Sequence, residues 1–207
     1  EVNLQHTSNP LVAADHAIFF KRIVKGVAWK HNLKASFMAK PFLNMAGNGM
    51  HLHVSIVDGA GNNIFGLTNR GANKILKNAV GGLMDALEES ALIFAPHLNS
   101  YRRLRPGGHA PTSICWGYEN RTAAIRIPDG MSDNIRIEHR VAGADANPYL
   151  VAAAVLVAAL DGIEKEVRPP HPVKGNSYSK NFKQLPSDWL SAINIFKIGA
   201  LNKTFYS

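Results

Sequence analysis

The residues best suited to chemistry stand close together in Gly47-Asn48-Gly49-Met50-His51-Leu52-His53-Val54-Ser55-Ile56-Val57. His51, His53 and Ser55 recur at every second position, so a strand sends them to one face and Leu52, Val54 and Ile56 to the other. Imidazole and hydroxyl groups on one surface can hold a metal ion and a phosphate, although histidine on a half-exposed strand is equally at home in solvent. A second alternating stretch, Asn134 to Val141, sets Arg136, Glu138 and Arg140 against Ile135, Ile137 and Val141. Arg126 projects away from Ile125 and Ile127 in the same way. If these strands share a sheet, one surface carries two histidines, a serine, a glutamate and several arginines. Phosphoryl transfer wants that mixture: carboxylate and imidazole bind a divalent cation, and guanidiniums take phosphate oxygens in pairs. Read strand by strand, Arg-x-Glu-x-Arg is also an ion-pair ladder on a solvated face. Glu1, at the chain end, carries no signal of its own.

The elements around these stretches can be read in order. Ser8-Asn9-Pro10 is a helix start, and Leu11, Ile18, Phe19, Ile23, Val24 and Val27 keep a helical period to about His31. Lys34 to Phe42 reads as a strand, and the glycine turn from Asp58 to Asn63 folds Ile64-Phe65 back as a hairpin. One helix is expected from Asn73 to Phe94, with Leu76, Val80, Leu83, Leu87 and Leu92 inward. Pro96 to Pro111 is too rich in proline and glycine for regular structure and reads as a loop that could carry function. Strands follow at Thr112–Tyr118, Thr122–Pro128 and Asn134–Val141, then a helix from Asn147-Pro148 to about Val167. Arg168 to Leu185 reads as an exposed loop, and an amphipathic helix runs from Ser187 to about Leu201. Strands in antiparallel succession interrupted by long helices predict an α+β fold.

The 207 residues suit one good-sized domain, and 46% hydrophobic content fits a globular chain. Lys and Arg exceed Asp and Glu by 23 to 15, a net charge of +8, which admits nucleic acid, an anionic membrane or a phosphorylated ligand as partner. No run of like charges and no nucleic-acid-binding motif supports the first. The longest apolar run, Tyr149 to Leu160, falls well short of the ~20 residues that span a bilayer, so it is expected as a buried helix. The lone Cys115 excludes an intrachain disulfide, and a cytoplasmic protein is expected.

Several motifs are shared, in order and at comparable spacing, with a known family: Lys40-Pro41, Gly47 to His53, Asn99 to Leu104, Asn120 to Ala123, Ile125 to Pro128, Arg136 to Arg140 and Ala144 to Tyr149. The chain resembles the catalytic domain of the glutamine synthetase family over roughly residues 1 to 165. The resemblance implies a mainly antiparallel, curved sheet with helices on its outer side, present here in incomplete form. It implies ATP-dependent ligation, in which the γ-carboxylate of glutamate takes the terminal phosphate of ATP and the acyl phosphate is then attacked by ammonia or an amine. Carried over by motif, Glu1, His51 and Glu138 are metal ligands for Mg²⁺ or Mn²⁺, and His53, Ser55, Arg126 and Arg136 contact ATP. Arg121 faces the transferred phosphate, while Gly47, Arg103 and Arg140 hold glutamate.

Two positions depart from the ammonia-using pattern. Where those members place a glutamate that helps bind ammonium and remove its proton, this chain has His109, and Ala46 stands where they place an asparagine. Phe37 to Pro41 and Val141 to Tyr149 resemble the γ-glutamylputrescine synthetase branch, so an amine is the expected nucleophile, with ammonia and a non-catalytic family member as alternatives. The same resemblance leads us to expect a partial catalytic domain across 1–207, with the family's N-terminal domain and the first catalytic strands absent. Its members assemble into homo-oligomeric rings, with a dodecamer expected here, and neither nucleic acid nor membrane is an expected partner.

Overall fold

A computed structural model describes residues 1–68, 71–107, 109–130, 132–200 and 203 of the chain. Two Asn-Pro starts behave as read. Asn9 caps α1 (Pro10–Lys30) by accepting the Leu11 N–H, and Asn147 caps α5 (Pro148–Glu164) by accepting those of Tyr149 and Leu150. In both, proline occupies a first-turn position whose N–H would have no helical partner.

Four short strands form the main sheet: β1 (Leu52–Val54), β4 (Trp116–Tyr118), β5 (Ile125–Ile127) and β6 (Ile137–His139), in the order β1-β6-β5-β4. β1–β6 and β6–β5 are antiparallel, and β5–β4 is parallel. The sheet is therefore mixed within the expected α+β class. β2 (Leu67–Thr68) and β3 (Gly71–Ala72) make a separate two-stranded ribbon. The Asp58–Asn63 turn closes as read, with Val57 bridged to Asn63 and the Ile64 N–H bonded to the Ile56 carbonyl.

The expected single helix from Asn73 to Phe94 is interrupted. α2 (Lys74–Ala86) ends in a tight turn before α3 (Ala91–Phe94), α4 (Ser100–Arg103) and α6 (Trp189–Ile198) are the remaining α-helices described, and short 3-10 helices lie at Ser132–Asn134 and Ser177–Ser179. Leu76, Val80, Leu83 and Leu87 are buried as read, against Ile125, Ile127 and Ile137 of the sheet and Val151 and Val155 of α5. α2 and α5 cross at very short range because glycines meet there: a Cβ on Gly82 would lie 2.5 Å from Gly162 Cα. The expected continuation of the last helix to Leu201 lies outside the described residues.

One expectation fails for an identifiable reason. Lys34 to Phe42 is no strand, because side-chain amides take the bonds a ladder would use: Asn48 Nδ2 donates to the Met38 carbonyl, and Asn99 both accepts from Lys40 N–H and donates to its carbonyl. On α1 the apolar residues that keep the period are largely exposed, with Phe19 at 56% and Ile23 at 62%, and only Ala14 is buried. Among the described elements α1 packs chiefly on α5, pinned by Lys21 Nζ to the Ala146 carbonyl at 3.1 Å and by Tyr149 to Asp15. Among the described residues no helix is long and apolar enough to cross a membrane.

Candidate active site

The strand registers draw one row across the sheet: His53 opposite Glu138, Glu138 opposite Arg126, and Arg126 opposite Gly117. The adjacent row, Leu52, His139, Ile125 and Trp116, belongs to the core. Pleating puts alternate rows on opposite faces, so the two polar sets read from β1 and β6 do share a surface.

Glu138 is its centre. The carboxylate side chain is only 5% exposed and receives Arg126 Nη1 at 2.6 Å, His51 Nδ1 at 3.0 Å and Arg140 Nε at 3.2 Å. Burial alone would raise its pKa, but the hydrogen bonds from His51 and Arg126 and the charge of Arg140 outweigh burial and hold it at about 2. Arg126 also meets Glu119 at 2.9 Å. His53 accepts Arg136 Nε–H on Nδ1 at 3.0 Å. Burial and the Arg136 charge keep this imidazole below its ordinary pKa against the opposing pull of Glu138, so His53 stays neutral near pH 7. Arg140 Nη1 reaches over to the Arg121 carbonyl, and the Arg121 side chain is exposed.

Below the glycine loop lies Arg103, buried to 4% exposure, with Nη1 donating to the Val141 carbonyl at 2.7 Å and Nη2 to that of Arg140 at 3.3 Å. Burial pushes its pKa down to about 10, so it stays charged. The loop needs glycine at two points: a Cβ on Gly47 would lie 2.6 Å from the Ala39 carbonyl oxygen, and one on Gly49 2.8 Å from Arg103 Nη2. Guanidiniums outnumber carboxylates around this face, Arg103, Arg121, Arg126, Arg136 and Arg140 against Glu119, Glu138 and, near Arg103, Asp145, which favours an anionic ligand.

The structure thus brings together His51, His53, Arg126, Arg136, Glu138 and Arg140 and seats Gly47 beside Arg103. Ser55 is half-buried beyond the end of β1. Glu1 is not brought to the His51–Glu138 pair: it is exposed on the extended residues before α1, and among the described residues no three His, Cys, Asp or Glu side chains stand close enough to hold a metal ion. A carboxylate beside an imidazole suits Mg²⁺ or Mn²⁺, but two donors fall short of the ~6 such an ion takes. His109 is exposed at a left-handed φ of 56°. A cavity of about 370 Å³ lies elsewhere, lined by Leu92, Ile93, His97, Asp145, Leu150 and Phe196 among others, none from the four strands.

Other residues were not singled out from sequence. Glu119 braces Arg126, and Asp145 accepts Ser100 Oγ at 2.6 Å. Asn120 and Ser177 bind residues 170–185 to the Arg121 turn. Their signals were slight: a glutamate and an asparagine in a turn, and a serine in a stretch rich in polar residues.

Comparison with known proteins gives a consistent result. Residues 1–205 match the family described as glutamine synthetase, catalytic domain. The γ-glutamylputrescine synthetase PuuA of Escherichia coli is 42% identical over 95% of this chain and 42% of its own length. The glutamine synthetase of Pyrococcus horikoshii is also 42% identical, over 89% of this chain and 41% of its own. A solved structure of GmaS in complex with ADP superposes with a TM-score of 0.88 at 36% identity, covering 97% of this chain and 48% of that one. The chain therefore spans about half the length of the relatives it matches.

Proposed function

Because this chain belongs to the glutamine synthetase catalytic-domain family, we propose that its sheet face is part of the active site of an ATP-dependent ligase joining the γ-carboxylate of glutamate to an amine. The observation that carries the reading is the row His53–Glu138–Arg126, with Glu138 bonded to His51, Arg126 and Arg140. An anion that draws Arg126 or Arg140 away frees the Glu138 carboxylate for a cation, so phosphate and metal can enter the face together.

In this reading His51 and Glu138 would supply two of the donors to Mg²⁺ or Mn²⁺, which would neutralise phosphate charge when bound, and Glu1 could join them only if the residues before α1 moved to the pair. His53, Ser55, Arg126 and Arg136 contact ATP. Arg121, exposed beside the anchored Arg140, stabilises the phosphoryl group as it passes to the glutamate carboxylate, and ADP leaves. Gly47, Arg103 and Arg140 hold glutamate, Arg103 with its fork fixed by two carbonyls. The amine then attacks the γ-glutamyl phosphate, forming the amide and releasing phosphate. His109, standing where ammonia-using members place the carboxylate that binds and deprotonates ammonium, supports an amine as the preferred nucleophile. Ammonia remains the second reading, favoured by the equal identity to an archaeal glutamine synthetase. A homo-oligomeric ring and a cytoplasmic setting, which suits the unpaired Cys115, belong to the same proposal.

The test is glutamate-dependent phosphate release from ATP with Mg²⁺, using the full-length gene product and comparing ammonium with mono-, di- and polyamines. Faster turnover with an amine is expected. A preference for ammonium overturns the amine assignment, and no turnover with any nucleophile overturns the ligase reading.

A further inference from the structure

Residues 170–185 contain little regular structure, yet they are laced to the strand region along their length. The Trp116 carbonyl accepts the Val173 N–H at 2.8 Å, and Trp116 Nε1 donates to the Pro170 carbonyl at 2.7 Å. The Ile114 N–H donates to the Lys183 carbonyl at 2.7 Å, and the Leu185 N–H to that of Thr112 at 2.8 Å. The strap passes the site row at Gly117, where a Cβ would stand 2.7 Å from the Val173 carbonyl oxygen.

Two of its residues reach the proposed catalytic segments. Ser177, fully buried, donates Oγ to the Thr122 carbonyl at 2.7 Å and its N–H to Thr122 Oγ1 at 2.9 Å. Asn120, on the other side of Arg121, donates Nδ2 to the Val173 and Gly175 carbonyls at 3.1 and 2.9 Å. The turn carrying Arg121 is thus fixed on both flanks. The next strap residue, Tyr178, is half-buried, feels the charges of Arg140 and Arg103, and donates Oη to the Ala110 carbonyl at 2.9 Å. Ala110 directly follows His109, whose left-handed backbone is an uncommon one for a residue with a side chain.

We propose that Tyr178 is a positioning residue that ties the His109 loop to the strap, setting how the amine nucleophile is received. The inference rests on the ligase reading for its consequence in catalysis, but the tie itself can be tested without activity.

Tyr178→Phe removes the hydroxyl and keeps the ring. With alanine methyls selectively labelled, the Ala110 signal is expected to shift and its order parameter to fall, while buried Ala124 and Ala142 in the sheet region stay unchanged. In turnover assays of the full-length protein, the KM for the amine is expected to rise about three- to tenfold, as loss of one neutral hydrogen bond predicts, with the KM for ATP unchanged. Ser179→Ala, which removes an exposed bond within the same turn, is expected to do neither. An unchanged Ala110 methyl overturns the proposal, as does an amine KM that moves no more than the ATP KM. If the wild-type protein turns over no nucleophile, the ligase reading fails while the Ala110 signal still decides whether Tyr178 holds the loop.

Discussion

His139 offers a sharp test of the sheet's orientation. It stands on the core row of β6 between Ile137 and Val141, 1% exposed, its ring 4.4 Å from that of Phe94, and neither nitrogen has a hydrogen-bond partner among the described residues. Burial, with a smaller contribution from the charge of His51, lowers its pKa from 6.5 to about 3. A folded-state pKa below the unfolded one means the unfolded chain binds the proton first, so stability is kept above the ordinary value and lost as pH falls below it. From near pH 7.5 to about pH 5.5 this one group should withdraw about 1.4 kcal/mol, the free energy of loading a group of pKa ~6.5 at one unit below it. His139→Leu, of similar volume, removes that linkage and two unpaired nitrogens, each costing about 1–3 kcal/mol of desolvation. The variant should be at least as stable as wild type near neutrality, with a stability difference that moves in its favour by about 1.4 kcal/mol at the lower pH. Urea denaturation followed by Trp fluorescence at both pH values measures it, and the difference between proteins cancels the other histidines. Parallel pH profiles would refute the reasoning, because His139 would then take up its proton as readily folded as unfolded.

Three further perturbations follow from the structure. Glu138→Gln leaves Arg126, Arg140 and His51 facing a neutral group and should cost roughly 3 kcal/mol near pH 7. Since the Glu138 pKa is held at about 2, below its ordinary 4.5, its contribution is full above 4.5 and fades as pH falls toward 2, so the gap from wild type should narrow in acid denaturation. Gly82→Ala would put a Cβ 2.2 Å from the Ala158 carbonyl oxygen, and thermal denaturation should show a loss of about 3 kcal/mol or more. Gly26→Ala on α1, where no atom of the described residues lies within 4 Å of the added Cβ, should instead stabilise by about 0.5–1 kcal/mol.

How much of this was legible in the sequence depended on how local the cause was. Alternation in β1 and β6 located the site face because a two-residue period is set by the backbone of the strand itself, and Ile135, Ile137 and Val141 are buried as that period requires. The same period puts His139 on the core side, where its polarity hid a core position. Helix starts were legible at Asn9 and Asn147 because a cap acts within a few residues. Which stripe of α1 is covered was not, since that depends on what packs there, and Ala14 is the residue of this helix that is buried. Lys34 to Phe42 has the composition of a strand, but whether it pairs was decided by Asn48 and by the distant Asn99. The strap is the fullest case: Pro, Gly and Ser between Arg168 and Leu185 read as an exposed loop, and apart from a 3-10 turn at Ser177–Ser179 its order comes from Asn120, Thr122 and Ala110, at sequence separations of 53, 55 and 68. Residue types that can do chemistry are thus visible one strand at a time. The bonds that hold them in position, from Glu119 to Arg126 and from Tyr178 to Ala110, exist only once the strands have been brought together.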